Sequence, residues 1–193
     1  MKSAVTVQPA TDVAMPGSVV AKLSVMSRST LGPAGDTIDA RVIIRRPVGE
    51  VFKFYKDLKN LRLFVGDVTD VEQLGPGMYQ WSIQAPLGLQ MKWKVLVTNE
   101  VTNKLIRYET ITAPELRTTW EVRFAPGPEA NQTEVHERMT PPLGRVGRMA
   151  LALIGKFPAR EVRANLQRLK ELLETGHVSD TTYAAAGKFG EAS

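Results

Sequence analysis

The residue best placed to do chemistry is Glu137, in the segment TEVHERM. Side chains on a strand alternate between two faces, and Glu137 shares its face with the apolar Val135 and Met139, so its carboxyl is predicted to point inward. A buried carboxylate is costly unless it is paired or hydrogen-bonded. Such a group suits binding a ligand hydroxyl or carrying a proton with a raised pKa. The alternative is that Glu137 lies near the strand end, in water or beside an arginine.

Two tyrosines are further candidates for a polar contact. Tyr108 lies in the alternating segment Leu105 to Thr112, and Tyr79 lies in another predicted strand. Either hydroxyl suits hydrogen bonding to a carbonyl, although tyrosine serves equally well as an amphipathic wall residue. We therefore take Glu137 and Tyr108 as the candidate catalytic or orienting residues.

Other catalytic and metal-binding groups are scarce. The chain has two histidines and no cysteine. His136 falls on the outward side of its predicted strand, and His177 follows Gly176 at the end of a predicted helix. Without a His or Cys cluster, or acidic residues at ligand spacing, we expect no metal and no cofactor. The glycines of GPG and LGRVG lack the strand–loop–helix context of a phosphate-binding loop.

Large apolar side chains have the spacing to line a pocket. The segment WSIQAPLGLQMKWKVLV holds two alternating runs on either side of a Pro-Leu-Gly turn, and each run offers one apolar face. Such faces either fill a core or enclose a hydrophobic ligand. The residues that we expect to line the ligand site are Trp81, Ile83, Met91, Trp93, Tyr108, Trp120, Val122, Met149 and Leu153.

The elements that must position these residues alternate with two different periods. TIDARVIIR predicts a half-buried first strand, and Pro47 then opens a short helix, followed by a second short helical piece. Six further strands follow, joined by linkers too short for crossovers, so the sheet is predicted to be antiparallel with about seven strands. One long helix, with a kink or break at Pro158 and an end at Gly176, covers it, which gives an α+β fold.

Composition limits the function classes. The 193 residues are 43% hydrophobic and 23% charged, which predicts one soluble, cytoplasmic domain. The net charge of +5 comes without a dense basic run, so nucleic acid is not an expected partner. No apolar run is long enough to span a bilayer.

We predict three segments. Residues 1–35 form a flexible N-terminal extension, with an organelle-targeting role as the alternative because acidic residues are rare there. Residues 36–176 form the ligand-binding domain, and residues 177–193 form a flexible tail.

The C-terminal helix carries an excess of basic side chains beside its apolar stripe. We expect these charges to face water; the alternative is transient contact with an anionic membrane surface. The basic residues are Arg145, Arg148, Lys156, Arg160, Arg163, Arg168 and Lys170, and the acidic ones are Glu161, Glu171 and Glu174.

The chain resembles the START-related (SRPBCC) superfamily from about Thr37 to Gly176. Three segments carry the resemblance: RRPVGEVFKFYKDLKNLRLF, WSIQAPLGLQMKW, and PPLGRVGRMALALIGKFPAREVRANLQRLKELLETG. Within the superfamily it is most similar to the polyketide cyclase/dehydrase group, a relative of the coenzyme Q-binding proteins. The resemblance implies a helix-grip fold, in which a curved antiparallel sheet wraps a long C-terminal helix.

Taken together, these observations predict binding or transport of a hydrophobic small molecule, such as a lipid, an isoprenoid quinone or a polyketide-like compound. The alternative is a cyclase or dehydratase that uses a buried acid in the same cavity. The lack of an inward histidine favours the binding protein.

Overall fold

One curved, unclosed antiparallel sheet dominates the fold. The computed structural model describes residues 37–84, 88–112, 117–142 and 158–190. In these ranges seven strands form a sheet in the order β1-β7-β6-β5-β4-β3-β2. The strands are β1 (Ile38–Ile44), β2 (Val68–Gly75), β3 (Met78–Gln84), β4 (Gln90–Val101), β5 (Leu105–Thr110), β6 (Thr119–Pro126) and β7 (Thr133–Thr140).

Three helices accompany the strands in the described ranges. They are α1 (Val48–Lys56), a 3₁₀ helix (Leu58–Leu63) and α2 (Pro158–Thr175). Two short helices after β1, seven strands and a C-terminal helix confirm the predicted helix-grip architecture. Strands β2 to β7 follow each other as neighbours, whereas β1 pairs with β7 and so places the first strand beside the last.

The inner face of the sheet and the two helices α1 and α2 share one apolar core. In β1 the burial alternates residue by residue, as the pattern of TIDARVIIR predicts. Helix α1 buries Val51, Phe52 and Tyr55. The rings of Phe52 and Tyr55 lie 5.4 and 5.7 Å from the ring of Phe124 on β6, edge to face. This packing fixes α1 across the sheet and holds Tyr55 inside.

Helix α2 packs along β1 through Val162, Leu166 and Leu169, all buried. It begins at Pro158, where proline is tolerated because the first helical N–H groups have no intrahelical partner. It ends at Gly176, whose φ of 87° and hydrogen bond from its N–H to the Leu172 carbonyl (2.8 Å) form the predicted glycine cap. The helical segment predicted before Pro158, and with it the kink, lies outside the described residues.

Arg168 differs from expectation, and residues after Gly176 contact the rest of the domain. The Arg168 side chain, predicted to face water, is fully buried and donates to the carbonyls of Phe64 (2.8 Å) and Thr182 (2.7 Å). The predicted tail has no periodic apolar pattern, yet Lys188 donates to the carbonyls of Val65 and Val68. Periodicity missed these contacts because they join side chains to irregular backbone carbonyls.

Candidate functional site

Glu137 lies in the middle of β7, on the inner face of the sheet. Its cross-strand neighbours are Ala40 on β1 and Val122 on β6, both buried. Only 5% of Glu137 is exposed. The structure therefore places this carboxyl inside the protein, as the strand pattern predicts, rather than in water.

Tyr55 links Glu137 to Tyr108. The Tyr55 hydroxyl is close enough to the Glu137 carboxyl to favour its charged form, and it lies 3.0 Å from the Tyr108 hydroxyl. Helix α1, strand β5 and strand β7 thus each supply one member of a buried polar chain. In the sequence, Tyr55 follows Val51 and Phe52 at helical spacing, which indicates only a core position. The available signal was chemical: a tyrosine at such a position brings a hydroxyl into the core, where it needs a partner.

Burial sets the ionisation of all three groups. It raises the pKa of the Glu137 carboxyl to about 7, against the partial opposing effect of the Tyr55 hydrogen bond, which favours the charged form. Burial, together with the nearby Glu137 charge, also raises the pKa of Tyr55 and of Tyr108 well above the usual tyrosine range. Both tyrosines stay neutral, and Glu137 titrates near neutral pH.

The hydrogen bonds that link Glu137, Tyr55 and Tyr108 can run in either of two directions. Each hydroxyl has one hydrogen, so when Glu137 is ionised Tyr55 donates to the carboxylate and accepts from Tyr108. The Tyr108 oxygen then offers only lone pairs. When Glu137 is protonated it donates to Tyr55, Tyr55 donates to Tyr108, and the Tyr108 hydrogen is free. One proton on Glu137 therefore changes Tyr108 from an acceptor into a donor.

An aromatic cluster adjoins this chain. The ring centroids of Trp81, Tyr108 and Trp120 lie 5.2 to 5.7 Å apart, and the rings of Tyr108 and Trp120 are stacked with 17° between their planes. Such offset ring contacts are favourable beyond the apolar area that they bury. Three residues predicted to line a ligand site therefore meet on the inner face.

The other predicted lining residues divide into three groups. Ile83 and Val122 are buried, and Trp93, directly opposite Trp81, is half-buried against the core. Met91 shares that face and is 40% exposed near the start of β4. Met149 and Leu153 lie outside the described residues.

Tyr79 lies apart from the polar chain. It is 8% exposed on β3, opposite Val95. Burial raises its pKa, as do the charges of Asp57 and Glu100. These neighbours place its hydroxyl toward the end of α1 rather than beside Glu137.

The two histidines lie away from the inner face. His136 Nε2 lies 2.7 Å from Asp39 Oδ1 on the outer face of the sheet, where Arg138 also contacts Asp39. His177 is exposed after the cap of α2. Neither reaches the Glu137 chain.

A polar groove of about 420 Å³ lies between β1 and α2. Asp39, Arg41, Arg163 and Gln167 form its walls, and Ala40 lies at its lining beside the inner face. Because Ala40 is the cross-strand neighbour of Glu137, the groove ends one strand away from the buried carboxyl.

Neither a metal centre nor a membrane span is found in the described ranges. No three His, Asp or Glu side chains there converge on a common point that would hold a metal ion. No helix there combines the length and apolarity that crossing a bilayer requires.

Comparisons with known proteins agree with the fold. A sequence profile described as "Polyketide cyclase / dehydrase and lipid transport" matches residues 36–174. No curated protein matches the chain.

Several solved structures share the fold. DR_A0006 from Deinococcus radiodurans is 27% identical, with a TM-score of 0.57 over 72% of this chain and 98% of that chain. TTHA0849 from Thermus thermophilus is 20% identical, with a TM-score of 0.57 over 72% of this chain and 98% of its own. A START superfamily protein from Mycobacterium smegmatis is 12% identical, with a TM-score of 0.57 over 71% of this chain and 98% of its own.

Proposed function

The chain belongs to the polyketide cyclase/dehydrase and lipid transport family, and we propose that it binds a hydrophobic small molecule between the curved sheet and its C-terminal helix. A lipid, an isoprenoid quinone and a polyketide-like ring compound are the classes considered. The observation that carries the proposal is the buried Glu137–Tyr55–Tyr108 chain on the mainly apolar inner face.

The cost of burying these groups supports a role beyond filling the core. A buried carboxyl destabilises a fold unless hydrogen bonds compensate for lost water, and apolar side chains of similar volume are often neutral or better for stability. Ligand sites, by contrast, combine apolar walls with a few polar groups that orient the bound molecule. The buried Glu137 carboxyl and Tyr108, whose ring contacts Trp81 and Trp120, fit this pattern.

The proposed affinity comes mainly from the apolar wall. Burial of apolar ligand surface contributes about 25 cal/mol per Å², before the cost of ordering the ligand. The polar chain contributes orientation: it presents lone pairs to a ligand hydroxyl when Glu137 is ionised, and a hydrogen to a ligand carbonyl when Glu137 is protonated.

A second candidate function is a cyclase- or dehydratase-type reaction in the same site. The pKa of about 7 on Glu137 favours it, because a proton carrier works best when its pKa lies near the operating pH. Tyr55 and Tyr108 then form the path along which a proton moves between Glu137 and the ligand.

A transient contact with anionic membrane is the third part of the proposal. Two helix cations predicted to face water are engaged inside the protein: Arg168 is buried, and Lys170 donates to the Ile43 carbonyl (2.6 Å). Arg163 is exposed and belongs to the basic surface that remains. Cosedimentation with anionic liposomes tests the contact; binding that weakens as salt is added supports it, and no binding overturns it.

Cargo identification tests binding directly. Native mass spectrometry and organic extraction of the purified protein are expected to show an apolar compound at one copy per chain. Anilinonaphthalene sulfonate serves as a probe, with Trp120→Ala as the inner-face variant and Arg123→Ala, on the outer face of the same strand, as the matched control. We expect Trp120→Ala to weaken binding of the probe and Arg123→Ala to leave it unchanged. If nothing copurifies and the probe does not bind, the proposal is wrong.

The enzyme candidate has its own test. The extracted compound is incubated with wild type, Glu137→Gln and Tyr55→Phe, and products are followed by mass spectrometry. Conversion by wild type that is lost in Glu137→Gln supports a reaction. If the compound is recovered unchanged after incubation with wild type, the protein binds it without catalysing a reaction.

A further inference from the structure

Within the part of the chain that the structure describes, the indole N–H of Trp81 has no hydrogen-bond acceptor, although the residue is only 4% exposed. A buried donor without a partner loses its hydrogen bonds to water without replacement, and such groups are rare in native proteins. Trp81 lies on β3 between Val71 and Trp93 on the same inner face. A phenylalanine would fill this wall without the unpaired donor, so the indole nitrogen calls for an explanation.

Hydrogen counting separates Trp81 from its polar neighbours. With Glu137 ionised, the Tyr55 hydrogen goes to the carboxylate and the Tyr108 hydrogen goes to Tyr55. The Tyr108 ring lies 5.7 Å from the Trp81 ring, yet its hydroxyl then has only lone pairs to offer. In this group Trp81 therefore holds the donor that is still available.

We infer that the Trp81 indole N–H donates a hydrogen bond to a carbonyl oxygen of the bound molecule, which is a flat, conjugated ring compound. This inference rests on the proposed function and narrows its ligand class. A carbonyl oxygen accepts and does not donate, so it matches an indole, which donates and does not accept. A flat ring suits the neighbouring surface, because the rings of Tyr108 and Trp120 are already stacked there.

The test uses two probes of nearly equal shape. Fluorenone carries a carbonyl where fluorene carries a methylene, so only fluorenone accepts a hydrogen bond. Titrations are run at about pH 8, where Glu137 is ionised. With ¹⁵N-labelled protein the three tryptophans give three indole signals, and Trp81→Phe identifies one of them.

Fluorenone is expected to move the Trp81 indole proton downfield, and fluorene is not. We also expect fluorenone to bind about tenfold more tightly than fluorene in wild type, the value of one good hydrogen bond. Trp81→Phe reduces this ratio to about one, whereas Arg123→Ala, on the outer face of β6, keeps it.

The outcomes separate this inference from the proposed function. If both probes bind but the indole proton responds equally to them, the inference is wrong and the binding function stands. If neither probe binds, the ligand is not a flat, conjugated ring compound and the inference is wrong. The extraction experiment then decides the binding function separately. If Trp81→Phe does not fold, the wild-type spectra alone decide, with Trp93→Phe and Trp120→Phe identifying the other two signals.

Discussion

The hydroxyl oxygens of Tyr55 and Tyr108 lie 3.0 Å apart, although 53 positions separate them in the sequence. The pair joins the first helix to the middle of the sheet, and through Tyr55 it reaches the Glu137 carboxyl. The short helix α1 therefore contributes to the inner face as much as a strand does. The first two predictions concern this chain.

Tyr55→Phe is expected to raise the pKa of Glu137 above 7. The Tyr55 hydrogen bond favours the charged carboxylate, and its loss leaves desolvation unopposed by that contact. Tyr108→Phe, which removes a hydroxyl without a direct bond to Glu137, is the matched control and should move the pKa less. A ¹³C titration of the Glu137 carboxyl measures both; equal shifts would show that Tyr55 has no special role.

Glu137→Gln is expected to stabilise the protein at alkaline pH. Because the folded pKa of about 7 lies above the ordinary 4.5, the native state binds the proton more tightly than the unfolded chain. The stabilising contribution of Glu137 to the free energy of unfolding is therefore fully present below about pH 4.5. It falls by on the order of 3 kcal/mol as the pH rises through the folded pKa of about 7. Urea unfolding at about pH 4.5 and pH 8 measures it.

At the lower pH of that experiment the glutamine variant and wild type should be similar in stability, and at the higher pH the variant should be more stable. Other carboxyls titrate in both proteins, so the difference between them isolates position 137. A difference that stays constant with pH would contradict a raised pKa.

Arg168→Ala is expected to destabilise the fold by about 3 kcal/mol, because it leaves buried acceptors unpaired. The carbonyls of Phe64 and Thr182 lose their donor, and the Asn165 side chain keeps only its bond from the Gly66 N–H. Arg163→Ala, at an exposed position of the same helix, should change stability by less than about 0.5 kcal/mol. Equal effects in urea unfolding would show that Arg168 is an ordinary surface residue.

Gly66→Ala is expected to displace the segment after α2. A Cβ at position 66 would collide with the Tyr183 carbonyl and lie 2.9 Å from Nη2 of Arg168. Overpacking of this kind costs about 1–3 kcal/mol, so trypsin should cleave after the half-buried Lys188 about tenfold faster. Mass spectrometry follows the cut.

Gly75→Ala provides the comparison for that digestion, since nothing lies within 4 Å of its added Cβ. Its digestion at Lys188 should match wild type. Unchanged digestion in Gly66→Ala would mean that the segment does not depend on close approach to Gly66.

Strand alternation was enough to predict which side chains face inward, because a period of two fixes the face of each residue. Glu137, Tyr108 and Trp81 were predicted in this way. Alternation does not say how far a covered face extends, so Met91 was assigned to the site although it is 40% exposed.

Partners distant in the sequence could not be predicted by the same means. Tyr55 has the spacing of a core residue, and its hydroxyl gains meaning only beside Tyr108 and Glu137. The sequence predicts that Arg168 faces water, because charged side chains usually lie at the protein surface. Its acceptors come from backbone carbonyls of irregular segments, which leave no periodic trace in the sequence.

The pairing of β1 with β7 has a consequence for synthesis on the ribosome. Strands β2 to β7 are neighbours in order and can add one by one to a growing sheet. Strand β1 has no pairing partner until β7 has been synthesised. Arg41 on β1, for example, forms its salt bridge with Glu134, 93 positions later in the sequence. Since domains are made from the N-terminus at about 5–20 residues per second, the nascent chain carries an unpaired apolar strand for several seconds, and a chaperone that shields extended segments would protect it.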